Sequence, residues 1–130
     1  MHIEHIALWA RDIELLKDFY VRHFGAQANA RYENPARQFQ SYFLSFADGA
    51  RLELMQRPDV FDRPPAFPPQ QFIGYAHLAI SVGAEAKVDA LTAGLVAAGV
   101  TRLDGPRRTG DGYYESVVLD PEGNRIEIVA

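Results

Sequence analysis

The chain has 130 residues, the length of one ordinary domain, and its 48% hydrophobic and 23% charged residues place it with globular rather than disordered or collagen-like chains. A net charge of −4, with 13 scattered basic residues, argues against a nucleic-acid partner. There is no cysteine, which excludes disulfides, a thiol nucleophile and thiolate metal ligands, and no apolar run approaches the roughly 18 residues of a membrane span. The start, Met1 to His5, lacks the basic and apolar stretches of a signal peptide, so a cytoplasmic location without membrane attachment is expected.

In chain order, residues 3–9 form the first predicted strand. A helix follows, with Asp12 suited to cap its first-turn N–H groups and Ile13, Leu16, Tyr20 and Phe24 recurring at helical spacing. Gly25 suits the left-handed position that ends a helix. Three further strands are expected over 27–32, 39–46 and 51–56, the last two joined by a turn at 47–50. The segment 58–73 holds five of the eight prolines and reads as a stiff crossing, because proline fixes φ and cannot donate to a ladder.

The pattern then starts again. A strand is predicted over 75–82, and a helix carrying Val88, Leu91 and Leu95 ends at Gly99, weakened by about 1 kcal/mol through Gly94. Strands follow over 100–103, 113–119 and 125–130, with a turn at 120–124. His5-Ile6-Ala7-Leu8 recurs as His77-Leu78-Ala79-Ile80, and Arg51-Leu52-Glu53-Leu54 as Arg125-Ile126-Glu127-Ile128. The separations, 72 and 74 residues, differ by only two, so duplication explains them better than chance. The expected fold is α+β: two tandem β-α-β-β-β modules forming a cupped, barrel-like mixed sheet with helices outside. Module one spans about 1–57, the connector 58–73 and module two about 74–130. Together they make one domain, because a module of about 65 residues buries too little surface alone.

Strand parity singles out four polar residues. Ile6 and Leu8, Leu52 and Leu54, Leu78 and Ile80, and Ile126 and Ile128 share the faces expected to pack on the helices. His5, Glu53, His77 and Glu127 lie on the reverse faces. If two like sheets stand side by side, two imidazoles and two carboxylates converge, and a divalent cation would compensate the carboxylates. Such a nitrogen and oxygen set suits Ni, Co, Zn, Mn or Fe(II). A sheet with one solvated side fits the same pattern. His2 and His23 have no partner in the repeat and read as surface or packing residues.

Ile3-Glu4-His5-Ile6-Ala7-Leu8, Asp18-Phe19-Tyr20 leading to Phe24-Gly25, Arg51-Leu52-Glu53-Leu54, Gly74-Tyr75-Ala76-His77-Leu78-Ala79 and Leu119-Asp120-Pro121-Glu122-Gly123-Asn124-Arg125-Ile126-Glu127 together resemble the vicinal oxygen chelate (glyoxalase, bleomycin resistance and dioxygenase) superfamily, and within it the glyoxalase I-like group. The resemblance covers essentially the whole chain. It implies paired modules, a homodimer, and a metal held by His5, Glu53, His77 and Glu127, with Ni, Co or Zn ahead of Mn or Fe. It further implies a lactoylglutathione lyase-like lyase or isomerase acting on a small substrate with vicinal oxygens through an enediolate-type intermediate. Glu127, then Glu53, would move the proton.

Within that superfamily, bleomycin-binding relatives usually lack metal ligands, and extradiol dioxygenases use two His and one Glu. The competing readings are therefore an antibiotic- or aromatic-binding protein, an epimerase or a dioxygenase. Members that use glutathione typically carry Arg four residues after the first His and Asn four after the first Glu. Trp9 and Arg57 stand there instead, which speaks against glutathione as the thiol carrier. Tyr42, Arg107 and Tyr113 complete the candidate substrate contacts, and Arg107 to Gly112 reads as a loop.

Overall fold

The computed structural model describes residues 1–62, 71 and 73–130, so most of the proline-rich connector lies outside the described residues. The chain divides into two compact units, Met1–Pro64 and Pro65–Ala130, each with one helix and one mixed sheet; the class is α+β.

In unit one, β1 (His5–Trp9) leads into α1 (Ile13–Phe24), then β2 (Gln27–Ala28), β3 (Tyr32–Asn34), a short 3-10 helix (Pro35–Arg37), β4 (Phe39–Ser45) and β5 (Arg51–Gln56). The Asp12 carboxylate accepts from the N–H groups of Glu14 and Leu15 at 2.9 and 3.0 Å, and Gly25 closes the helix at φ +66°. Ile13, Leu16, Phe19 and Tyr20 are its buried face. They rest on Leu44, Leu52 and Leu54, which exclude solvent almost completely. β1 runs parallel to β5, and β4 pairs antiparallel with β5, β2 and β3.

The single strand expected over 27–32 is two short strands. Between them the Asn29 side chain accepts from Phe43 N–H at 2.7 Å, taking a ladder bond and releasing the chain from regular pairing. The first strand is also shorter than the apolar pattern suggests, starting at His5.

In unit two, β6 (Leu78–Ser81) precedes α2 (Glu85–Ala97), β7 (Arg102–Arg108), β8 (Tyr114–Leu119) and β9 (Arg125–Val129). The sheet order is β6-β9-β8-β7, with β6 parallel to β9. α2 has no side-chain cap, and Val88, Thr92 and Leu95 are its buried residues. Thr92 donates its hydroxyl to the Val88 carbonyl at 2.6 Å and lies 2.6 Å from the Ser116 hydroxyl, which therefore donates to it.

The second strand of this module begins later and runs further than the predicted 100–103. Asp104-Gly105-Pro106 reads locally as a turn, yet the pairing with β8 continues past it with shifts in register. Gly105 makes that passage sterically feasible. A Cβ there would lie 2.4 Å from the Glu115 carbonyl oxygen, so only glycine fits so close to β8. Arg107 consequently sits on a strand, paired with Glu115, and not in the expected loop. Among the described residues, no helix is long and apolar enough to cross a membrane.

Candidate functional site

The predicted parity holds along β1, β5 and β9, which carry His5, Glu53 and Glu127, and along β6, which directly follows His77. Burial alternates as Leu52 and Leu54 go under α1 while Glu53 stays on the other face, and as Ile126 and Ile128 go under α2 while Glu127 does not. In unit one Ala7 pairs with Glu53, and His5 stands two residues before Ala7. In unit two Ala79 pairs with Glu127, and His77 stands two residues before Ala79, just outside β6. Each imidazole thus meets its carboxylate by the same diagonal offset across a parallel pair. His5 Nε2 lies 3.8 Å from Glu53 Oε2, and His77 Nε2 lies 3.2 Å from Glu127 Oε2. The imidazoles are about 40% exposed, while the carboxylates are only 15% and 21% exposed.

The donor chemistry of these pairs fits a shared cation. Two ligands bound at roughly 2.0–2.2 Å to one ion stand roughly 3.0–3.5 Å apart; the 3.2 Å pair of unit two falls inside that range and the 3.8 Å pair of unit one lies just above it. In unit one the Glu4 carboxylate takes His5 Nδ1. A carboxylate only accepts, so Nδ1 donates to Glu4, and Nε2 is the ring nitrogen that faces Glu53. Hydrogen bonds from His5 and then Arg51 hold the Glu4 carboxyl below its ordinary range, keeping it an acceptor. Among the described residues no group of three or more His, Asp or Glu gathers as a metal cluster; what each unit presents is a pair.

The surroundings of the two pairs differ. Phe43, which pairs with Glu53, meets the His5 ring edge-on at 5.4 Å, and the Arg51 guanidinium lies 4.2 Å over Phe43. In unit two Val117 pairs with Glu127. Glu115 shares that face, and burial, reinforced by the nearby Glu127 carboxylate, pushes its carboxyl pKa up.

Of the remaining candidates, Trp9 lies on the same face as His5, two residues beyond Ala7, and Arg57 follows β5 with its guanidinium 5.3 Å over the indole. Tyr42 stands on the opposite face. It pairs with Leu54 under α1, is nearly buried, and donates its hydroxyl to Glu14 at 2.8 Å. Arg107 is engaged by Asp104, at 2.5 and 2.7 Å, and Tyr113 is exposed in the turn before β8. Sequence parity did not reach Glu4, Phe39 and Phe43. The odd spacing of Phe39 and Phe43 along β4 matches the Glu53 face once the register is known, and Glu4 is adjacent to a ligand candidate.

Solved structures share this fold. The trypanothione-dependent glyoxalase I of Leishmania major matches with 21% identity and a TM-score of 0.78, over 99% of this chain and 86% of that one. A glyoxalase family protein from Enterococcus faecalis matches with 24% identity and a TM-score of 0.76, over 98% and 96%. Glyoxalase I from Zea mays matches with 19% identity and a TM-score of 0.77, this chain spanning 44% of its length. No curated protein sequence matches. The model of the Glyoxalase/Bleomycin resistance protein/Dioxygenase superfamily matches residues 2–128, nearly the whole length, and the chain belongs to that superfamily.

Proposed function

We propose that this protein is a metal-dependent lyase or isomerase of glyoxalase I type, with His5, Glu53, His77 and Glu127 as ligands of one divalent ion per chain. The observation that carries the proposal is the repeated His–Glu contact, made at one register offset in both modules. Ni, Co or Zn is the expected ion, with Mn or Fe next; bound there, it would act as a Lewis acid toward a substrate with two adjacent oxygens.

The chain's own groups then divide the remaining work. His5, oriented through Nδ1 by Glu4, and His77 supply neutral nitrogen donors. Glu127 takes the proton from the carbon beside the substrate carbonyl and returns it to the neighbouring carbon, and Glu53 serves as the counterpart carboxylate. A carboxylate performs such a transfer when substrate acidity and its own pKa are brought together, which contributes typically 10²–10⁴-fold. Substrates are small molecules, and a cytoplasmic homodimer is the proposed working form. With Trp9 and Arg57 in place of a glutathione-directed pair, the thiol carrier is a molecule other than glutathione, or none.

Elemental analysis of protein purified without chelator tests this directly. About one equivalent of Ni, Co or Zn per chain is expected, lost on Glu127→Ala, together with turnover of α-oxoaldehyde–thiol adducts over a panel of thiols. Metal-free protein that binds an aromatic ligand with equal strength after His5 and His77 are replaced would overturn the reading in favour of a binding protein.

A further inference from the structure

On the His5/Glu53 face of unit one, three aromatic rings stand beyond the polar pair. Trp9 pairs with Met55, two residues along β1 and β5 from the Ala7–Glu53 level, which places it roughly 7 Å further along the strands. Phe39 meets the indole edge-on at 6.2 Å and 88°. Tyr32, brought over β4 by its pairing with Ser41, meets Phe39 at 6.2 Å and 60°. Trp9 and Tyr32 nevertheless remain 41% and 53% exposed. Contiguous aromatic surface left in water beside a set of chelating donors is an unusual cost for a folded chain, and it is recovered when a ligand covers it.

We infer that this wall binds an aryl group carried by the substrate, next to the vicinal oxygens that His5 and Glu53 help to anchor; the placement of those oxygens rests on the function proposed above. A planar ring suits the site better than an alkyl chain of equal area. The three rings are inclined to one another, offering faces and edges for offset and edge-to-face contacts. Arg57 does not add an acid-binding post to this subsite. Its Nε is engaged by Asp59 while its guanidinium lies over Trp9, so the charge is already answered and the side chain acts to hold the indole in place. The subsite therefore selects a neutral ring, unlike a carrier with several carboxylates.

Trp9 is the chain's one tryptophan, so its fluorescence reports on this wall alone. Mandelate and lactate present the same hydroxy acid and differ in carrying phenyl or methyl. Titrated into Zn²⁺-loaded protein, mandelate is expected to perturb Trp9 emission with a Kd at least about tenfold below that of lactate. Phe39→Ala and Tyr32→Ala should bring that ratio below about threefold while leaving lactate binding unchanged; Tyr32 is exposed enough that its variant folds even if Phe39→Ala does not. A ratio near one in the parent protein, or a ratio unmoved by both substitutions, overturns the inference. Failure of the metal reading looks different: Zn²⁺ would then strengthen neither acid, while the preference for mandelate and its dependence on Tyr32 and Phe39 would persist and uphold the aryl subsite.

Discussion

Matched by their offsets of 72 and 74 residues, the two modules agree in part of the helix-facing layer and diverge in the rest of it and on the opposite face. In the helix-facing layer Leu16, Leu44, Leu52 and Leu54 correspond to Val88, Val118, Ile126 and Ile128, all essentially solvent-free. Beside them the fill diverges: Tyr20 and Tyr42 of the first module correspond to Thr92 and Ser116 of the second. Two rings there give way to two hydroxyls hydrogen-bonded to each other. On the opposite face Trp9 and Phe43 correspond to Ser81 and Val117. What survives this divergence is the His–Glu diagonal and the parallel strand pair that sets it. The modules therefore share the His–Glu frame, and Trp9 and Phe43 of the first have no aromatic counterpart at the matching positions of the second.

Removing the carboxylates tests the shared part. Glu127→Gln is expected to lower turnover of the α-oxoaldehyde–thiol adduct by about 10³-fold, and Glu53→Gln by less. Equal losses from the two, measured as kcat alongside metal content, would erase the division of roles between the modules.

Removing the buried hydroxyl tests the divergent core. Thr92→Val keeps the volume but strands the Ser116 hydroxyl in a dry site, so a loss of about 1–3 kcal/mol is expected in chemical denaturation. Tyr42→Phe in the first module should cost less, because its acceptor Glu14 is 44% exposed. A reversed order would show that the aromatic fill depends more on polar contacts than the hydroxyl fill does.

A third substitution addresses the asymmetry around the imidazoles. Glu4 orients His5, whereas Ala76 occupies the matching place before His77. Glu4→Ala is expected to weaken Zn²⁺ binding by about 10–100-fold in a competition titration. No change would mean that the two imidazoles are held equally well by the strand frame alone.

The smallest effect concerns acid. Hydrogen bonds from Lys17 and then Tyr42 hold the Glu14 carboxyl below its ordinary value of 4.5, and the second module has Ala86 at that place. A carboxyl with a depressed folded-state pKa contributes stability above 4.5 and loses it as pH falls through the folded-state value. Glu14→Gln should therefore destabilise by no more than about 1 kcal/mol at neutral pH, solvent screening included. The difference from the parent protein should vanish in denaturation curves taken well below pH 4.5.

The features readable in the sequence are those set by period and order. Alternation along 51–54 and 125–128 placed Glu53 and Glu127 on their faces, and the repeat tied each to a histidine. Asp12 and Gly25 marked the ends of α1 because capping is a local matter. What the sequence hid depends on contacts between distant segments. Asn29 breaks a strand by bonding to Phe43, fourteen residues on, and Gly105 carries β7 past a turn-like triplet because β8 lies against it. Tyr42 has the composition of a pocket residue, and only its pairing with Leu54 reveals that it faces the helix. The aromatic wall was invisible for the same reason. Trp9, Tyr32 and Phe39 come from three strands, and register alone gathers them.

The parallel pairing of each module's first strand with its last also bears on synthesis. His5 has its strand partner at Arg51, and Leu78 has its partner at Ile126. A ribosome adding roughly 5–20 residues per second takes roughly 2–10 s to pass from one partner to the other. Through that interval Ile6 and Leu8 travel with an open strand edge, and the wait recurs for Leu78 and Ile80. A nascent chain halted before residue 51, or again before residue 125, thus carries an apolar strand whose partner has not yet been made.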